Sequence, residues 1–332
     1  MNYQEADRRV GITTTVPVEI IYAAGLVPVD LNNIFINSDK REKYIAAAER
    51  AGYPRTVCGW IKGIYGAVAD YNEVSQVVAV TEGDCSQTHA LMETLADAGV
   101  RVLPFSFPFD RDPSSLRREM EKLADALGTN WNEAVYQQKR LEEARRPIWE
   151  IDRLTWEENK VSGWENHYWQ ISCSDFEGDP EQFAARANEF LREARQRPPR
   201  PAGLRMAFMG VPPIIDDIYE YFSSQNAEII FNEVQRQFSL PYENVDLVEQ
   251  YLSYTYPYDA AARAADIAKQ LEIRRADAVI HYTQSFCFRQ IEDILFRKWL
   301  KPPFLSIEGD SPGPLDARTK MRIETFLMML GA

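Results

Sequence analysis

Four cysteines stand at positions 58, 85, 173 and 287 of a 332-residue chain. Three of them are set among glycines and polar residues. The stretches are Tyr53-Pro-Arg-Thr-Val-Cys58-Gly-Trp-Ile-Lys62-Gly, Thr81-Glu-Gly-Asp-Cys85-Ser and His281-Tyr-Thr-Gln-Ser-Phe-Cys287. Cys85 comes just after the apolar run Val77-Val-Ala-Val80, and Cys287 comes after Ala278-Val-Ile280. Such runs read as buried strands, and ligands of open α/β sheets collect at the carboxyl ends of strands. A thiolate placed ahead of a helix is stabilised by the positive end of that helix. No two cysteines form a CxxC pair, so local spacing supports neither a zinc ribbon nor a ferredoxin-type cluster. Three converging thiolates would hold three irons of a [4Fe–4S] cubane and leave the fourth iron open to a substrate. The same donors would suit a three-thiolate zinc site, and composition does not separate the two. The plainer alternative is that each cysteine is a small buried side chain. That alternative is preferred for Cys173, in Trp169-Gln-Ile-Ser-Cys173-Ser-Asp, which follows no strand.

The elements that must position these residues follow a βαβ rhythm, which implies parallel sheets. In the first part, helices are expected over residues 18–24, 39–51, 59–72 and 89–98. Strands are expected over 26–31, 77–80 and 100–105. Residues 114–166 are charged and helix-forming, carry Trp131, Trp149, Trp156 and Trp164, and read as two long helices. A polar helix over 180–196 precedes the Pro-rich hinge Arg197-Pro-Pro-Arg-Pro201. Strands then recur at 204–210, 228–234, 278–281 and 304–307, with helices at 216–224, 259–272, 287–299 and 315–330. The division expected is an α/β domain over 1–113, a helical connecting region over 114–200 and a second α/β domain over 201–332.

A net charge of −13 argues against a nucleic-acid or anionic-membrane surface. The polar start carries no apolar targeting core, and no run reaches the length of a membrane span. A cytoplasmic protein with reduced thiols is expected. Gly309-Asp-Ser-Pro-Gly313 lacks the P-loop pattern, so this chain is not expected to bind ATP.

Other residues admit two readings each. Glu19 is either a base facing a cofactor cavity or a solvated first-turn carboxylate favoured by the helix dipole. His89, four residues after Cys85, and His281, at a strand end, are either proton shuttles or hydrogen-bonded structure. Lys62 either influences a site at Cys58 or is solvated. The tryptophans at 131–169 read as packing anchors or a subunit interface.

The chain resembles the 2-hydroxyacyl-CoA dehydratase D-component family, which includes benzoyl-CoA reductase subunits and small double-cubane cluster proteins. The resemblance rests on Val16-Pro-Val-Glu19-Ile-Ile-Tyr-Ala-Ala-Gly25-Leu-Val-Pro28-Val, on Cys58 with its glycines, on Gly83-Asp-Cys85, and on Asp277-Ala-Val-Ile followed by Cys287. It continues through Pro303-Phe-Leu-Ser-Ile-Glu308-Gly-Asp310 and Arg318-Thr-Lys-Met-Arg322-Ile-Glu324-Thr-Phe. It implies two flavodoxin-like (Rossmann-like) parallel-sheet domains joined by a long helical region. It also implies a [4Fe–4S] cluster between the domains, with Cys58, Cys85 and Cys287 matching its ligands. An ATP-hydrolysing iron–sulfur activator would supply low-potential electrons one at a time. An acyl-CoA thioester would become a ketyl radical, which permits dehydration or ring reduction, so the activity implied is that of a lyase or reductase. Relatives work as two-subunit units, so a homodimer or a heterodimer with a related subunit is expected. Double-cubane members, with an [8Fe–9S] cluster, carry further cysteines. Gln235 stands where one is expected here, which favours a single cubane. An electron-relay or structural cluster subunit that binds no CoA substrate is the alternative reading.

Overall fold

A computed structural model describes residues 8–70, 74 and 76–331. The strands are β1 (Arg9–Ile12), β2 (Val27–Asp30), β3 (Gln76–Glu82), β4 (Arg101–Ser106), β5 (Leu204–Gly210), β6 (Ala227–Asn232), β7 (Ala278–Gln284) and β8 (Phe304–Gly309). The helices before β4 are α1 (Val18–Ala23), α2 (Leu31–Ile36), α3 (Arg41–Arg50), α4 (Gly59–Asp70) and α5 (Thr88–Asp97). Between β4 and β5 lie α6 (Pro113–Leu127), α7 (Trp131–Trp156), α8 (Gly163–Ile171) and α9 (Pro180–Gln196). Then come α10 (Ile218–Ser224), α11 (Glu233–Phe238), α12 (Leu247–Ser253), α13 (Ala260–Arg274), α14 (Asp293–Trp299) and α15 (Ala317–Leu330).

The chain divides into two compact units. Unit 1 comprises residues 1–145, 172–183 and 240–259, and unit 2 comprises 146–171, 184–239 and 260–332. Each holds one four-stranded sheet, ordered β2-β1-β3-β4 in unit 1 and β6-β5-β7-β8 in unit 2. Every pairing within the two sheets is parallel. The fold is therefore α/β with two parallel-sheet units, as expected. In each sheet the first strand pairs with the second on one side and the third on the other. That order reverses between β1 and β3, and again between β5 and β7, the crevice position for ligands in doubly wound sheets.

The inner strands are apolar because helices cover both faces. All seven residues of β7 are buried, as are the first five of β3. β1 was not foreseen, since Arg9-Val-Gly-Ile12 is short and follows a polar start. Gly11 lets the neighbours pack closely there, since a Cβ would stand 3.1 Å from the Leu31 and Val74 side chains, which would have to give by a few tenths of an ångström. The charged stretch after β4 folds as three helices, α6 to α8, rather than two. Asp112 caps α6 by accepting from Ser115 N–H at 2.7 Å, with Pro113 in its first turn and left-handed Gly128 ending it.

In unit 1, residues 172–183 dock beside the end of β2. Asp175 accepts from the N–H groups of Asp30 (2.8 Å) and Glu177 (2.9 Å), and the Tyr22 hydroxyl donates to the Asp175 carbonyl at 2.8 Å. Those bonds hold a left-handed run at Phe176 (φ 54°), Glu177 (φ 53°) and Gly178 (φ 83°). A non-glycine residue held in that region costs on the order of 1–3 kcal/mol, so the clamp stabilises strained backbone.

Candidate functional site

Cys85 leaves the carboxyl end of β3 through a turn only glycine can make. Gly83 has φ +99°, and a Cβ there would lie 2.8 Å from the Pro257 carbonyl oxygen and from Phe107 Cβ. The Thr88 N–H donates to the Cys85 carbonyl at 3.0 Å as α5 begins. Cys58 directly precedes α4, and its carbonyl accepts the Lys62 N–H at 3.2 Å, so it stands at the amino end of that helix. Cys58 is buried in an apolar cluster with Leu31, Ile61, Ile64 and Leu91, and half-buried Cys85 packs against the same cluster. Unit 1 thus brings these two thiols to one apolar surrounding. Trp60 packs there too, and its indole N–H is buried without an acceptor among the described residues.

Cys287 belongs to unit 2 and follows the inner strand β7. The turn that presents it is strained: Phe286 sits at φ 64°, unusual for a bulky residue, while Ser285 N–H donates to the Gly309 carbonyl at 2.7 Å. An α-helix was expected to start at Cys287. The chain instead makes a short 3₁₀ turn over Phe288–Gln290, and α14 begins only at Asp293. The dipole argument for Cys287 therefore loses its helix, and the strained turn does the presenting. Within neither unit do three or more His, Cys, Asp or Glu side chains of the described residues converge as a metal site. Cys173 is fully buried in unit 1, and burial pushes its thiol far above the usual range. That is an inert side chain.

Glu19 is not the solvated first-turn carboxylate considered as one reading. It is fully buried and paired with buried Arg145, Nη1 to Oε1 at 2.8 Å. Gln250 Nε2 donates to it at 2.9 Å and the Tyr251 hydroxyl at 2.7 Å. Burial, the largest single effect, would lower the Arg145 pKa, but the charge and hydrogen bond of Glu19 together with Tyr251 and Cys173 outweigh it and raise it. Lys62, equally, is buried rather than solvated, donating to Glu49 at 3.0 Å and to the Arg55 carbonyl at 3.3 Å. His89 lies exposed on α5. His281 is buried in β7 with Nδ1 2.8 Å from Asp293 Oδ1. Burial alone would raise the Asp293 pKa, and the hydrogen bond from His281 is the largest of the opposing effects that hold it well below the usual carboxylate range.

Unit 2 also contains a polar chain that the sequence did not disclose. Asn166 Nδ2 donates to Asp152 Oδ1 at 3.1 Å, which turns Asn166 Oδ1 toward Asn232 Nδ2 at 2.8 Å. Asn232 Oδ1 then accepts from the Tyr219 hydroxyl at 2.8 Å. The Tyr219 oxygen lies 3.0 Å from His167 Nδ1 and, with its own proton given to Asn232, can accept a proton from that nitrogen, in competition with the Gln235 amide, which can only donate to it. Burial pushes the His167 pKa down to about 3, which keeps the ring neutral. Gln235 lies beside them, fully buried, with Nε2 3.2 Å from His167 Nδ1. Tyr219→Phe should therefore remove the acceptor for an Nδ1 proton, leave Gln235 as the donor to that nitrogen, and shift His167 toward the Nε2–H tautomer. Nitrogen-15 NMR of a chain with only three histidines reads this directly. An unchanged Nδ1–H signal in the variant would refute the relay.

A polar cavity of about 440 Å³ opens beside the ends of β7 and β8. Its lining includes Ser285, Glu308, Asp310, Arg318, Thr319 and Arg322. No described helix is long and apolar enough to cross a membrane.

A family model described as 2-hydroxyglutaryl-CoA dehydratase, D-component, matches residues 13–330. No curated protein matches the chain.

Proposed function

Since the chain belongs to the 2-hydroxyglutaryl-CoA dehydratase D-component family, we propose that it is the iron–sulfur subunit of a 2-hydroxyacyl-CoA dehydratase-type enzyme, with Cys58, Cys85 and Cys287 holding an open-site [4Fe–4S] cluster. The observation that carries this reading is the placing of the thiols. Cys85 and Cys287 each follow the third strand of a sheet, beside the point where strand order reverses, and Cys58 heads a helix in the surroundings of Cys85. Thiols are the natural donors for such a cluster, and the buried Trp60 N–H without an acceptor fits an added sulfur nearby. When bound, the cluster would pass single low-potential electrons to an acyl-CoA thioester.

The chain's own residues have separable tasks in this reading. Gly83 and the left-handed Phe286 turn out two of the thiols from strand ends. Leu31, Ile61, Ile64 and Leu91 keep water from Cys58, which favours a thiolate bound to iron over a free one. Cys173 takes no part, since its buried thiol sits beside the Arg145–Glu19 pair. The family implies an activator component as partner, and the electrons would come from it. Glu19 and His89 are not given catalytic work. Glu19 is committed to three donors, and His89 faces solvent.

Protein purified without oxygen should be brown and carry about four irons and about four sulfides per chain, as one cubane requires. Cys58→Ser, Cys85→Ser and Cys287→Ser should each lose most of that iron, while Cys173→Ser should keep it. Full iron in any of the first three variants would remove that residue from the ligand set. An iron-free wild-type chain would end the reading.

A further inference from the structure

We propose that Arg263, buried near the start of α13, is a positioning residue: through Glu292 and Arg289 it clamps the turn that presents Cys287. The turn needs such a clamp. Phe286 is held at φ 64°, and strained backbone persists only where its surroundings over-determine it. Burial of apolar side chains does not supply the constraint. Phe286 is 49% exposed, Phe288 41% and Ile291 70%. Of residues 286–292, Arg289 alone is buried, and its side chain is charged.

The two ends of the turn are fastened differently. At its entry, Ser285 N–H donates to the Gly309 carbonyl at 2.7 Å and the Ser285 hydroxyl to Glu308 at 2.7 Å, so β8 holds that side. At its exit the fastening is ionic. Arg289 Nη1 lies 3.2 and 3.3 Å from the two Glu292 carboxylate oxygens, and Arg263 Nη1 donates to Glu292 Oε2 at 2.6 Å. Arg263 is itself anchored. Its Nε and Nη2 donate to the two oxygens of Glu233 at 3.0 and 2.9 Å, and both residues are 0% exposed. Gly210 N–H, at the end of β5, donates to the same carboxylate at 2.8 Å. Burial would raise the Glu233 pKa, and the charge of Arg263 leads the effects that lower it instead. Glu233 directly follows β6, so the exit of the turn is tied to the carboxyl ends of β5 and β6.

The task suits an arginine. Its planar fork commits two donors to Glu233 and keeps a third for Glu292, a geometry that a lysine ammonium on its flexible stem does not reproduce. Arg274 provides the contrast within the same helix. It is buried with Asp152, to which Nη1 donates at 2.9 Å, and it also reaches the Ile230 carbonyl at 3.2 Å. It stands about three turns along α13 from Arg263. Contacts one step behind a metal ligand orient that ligand and tune the metal. That consequence rests on the reading of Cys287 as a cluster ligand, and the clamp on the turn does not.

The test uses the full-length chain with and without iron. In iron-free protein, hydrogen exchange over residues 286–292 is followed by mass spectrometry. The N–H groups of Cys287, Gln290, Ile291 and Glu292 are bonded there and have protection to lose. Arg263→Lys keeps a cation beside Glu233 but gives up the reach to Glu292. Glu292→Ala removes the link at a side chain that is 16% exposed, a loss the fold should survive. Each variant should speed exchange in the segment about tenfold or more, as loss of a charged hydrogen bond does. Arg274→Met, which strands Asp152 in the same unit, should leave the segment at the wild-type rate. In iron-loaded chain, both clamp variants should change the electron paramagnetic resonance signal of the reduced cluster, and Arg274→Met should not. Wild-type exchange over 286–292 in Glu292→Ala overturns the proposal even if Arg263→Lys fails to fold. Equal acceleration in Arg274→Met also overturns it, because the effect would then be a general loosening of unit 2. Faster exchange with an unchanged signal in iron-loaded chain overturns the positioning role and leaves Arg263 a structural one. A chain that takes up no iron ends the cluster reading alone, and the exchange result still decides the clamp.

Discussion

Arg145→Met should destabilise unit 1 by about 3–5 kcal/mol, the range for removing one partner of a buried ion pair. The Glu19 carboxylate would be left with Gln250 and Tyr251 as donors but no cation, in a place where Glu19 and Arg145 are 0% and 1% exposed. Most of the loss comes from the stranded charge rather than from the missing attraction. The double variant Glu19→Gln with Arg145→Met should therefore recover a large share of it, a non-additivity that a double-mutant cycle measures. Equilibrium unfolding in urea at neutral pH gives the three values needed. If Arg145→Met costs less than about 1 kcal/mol, the pair is not an uncompensated-charge trap and the argument fails.

Asp175 should make unit 1 less stable as pH rises toward neutrality. Burial pushes its carboxyl up to about 7, with the neighbouring Asp30 carboxylate adding to the rise and the N–H bonds from Asp30 and Glu177 opposing it. The pKa is raised on folding, so the folded state keeps a proton that the unfolded state has released. Stability is full below the ordinary carboxylate pKa of about 4 and falls as pH rises from there to the raised value, then levels. The drop is on the order of 4 kcal/mol at about 1.4 kcal/mol per pKa unit. Asp30, also raised chiefly by burial, acts in the same direction. Carboxylates with lowered pKa values, such as Asp293 and Glu165, act in the opposite one. The comparison must therefore be between wild type and Asp175→Asn. The variant should lose less stability between about pH 4 and pH 7 than the parent does. Parallel curves for the two proteins would show that Asp175 ionises like an exposed carboxyl.

The large features were legible because they depend on local composition. The runs at Val77–Val80 and Ala278–Ile280 are apolar enough to announce strands buried on both faces, and β3 and β7 are those strands. β1 was hidden because a four-residue strand containing Gly11 gives too short a pattern to separate from a loop. The start of α14 was misplaced because no capping residue separates Cys287 from the helix-forming residues after it. Positive φ at Phe286 has no signature in a side chain. Burial was the least legible property. Glu19 and Lys62 each admitted a solvated reading that their burial overturns, since sequence gives each charge without the partner that permits its burial. The partner of Glu19 lies far along the chain at Arg145, and Gln250 and Tyr251 lie farther still. His167 could have been suspected only from Asn166, Asn232 and Gln235, three amides whose convergence depends on the fold of unit 2.

The interleaving of the two units bears on how this protein can be made. A ribosome that has released residues 1–239 has produced β1 to β4 but not Gln250 or Tyr251, which belong to unit 1. Glu19 and Arg145 must wait, partly unsatisfied, until the chain has passed residue 259. Unit 2 is likewise begun at residue 146 and finished only by β7, β8 and α15. Neither unit corresponds to any single stretch of the gene. Expression of a front half or a back half should yield aggregating fragments, and nascent-chain proteolysis should show protection arriving late for both units together.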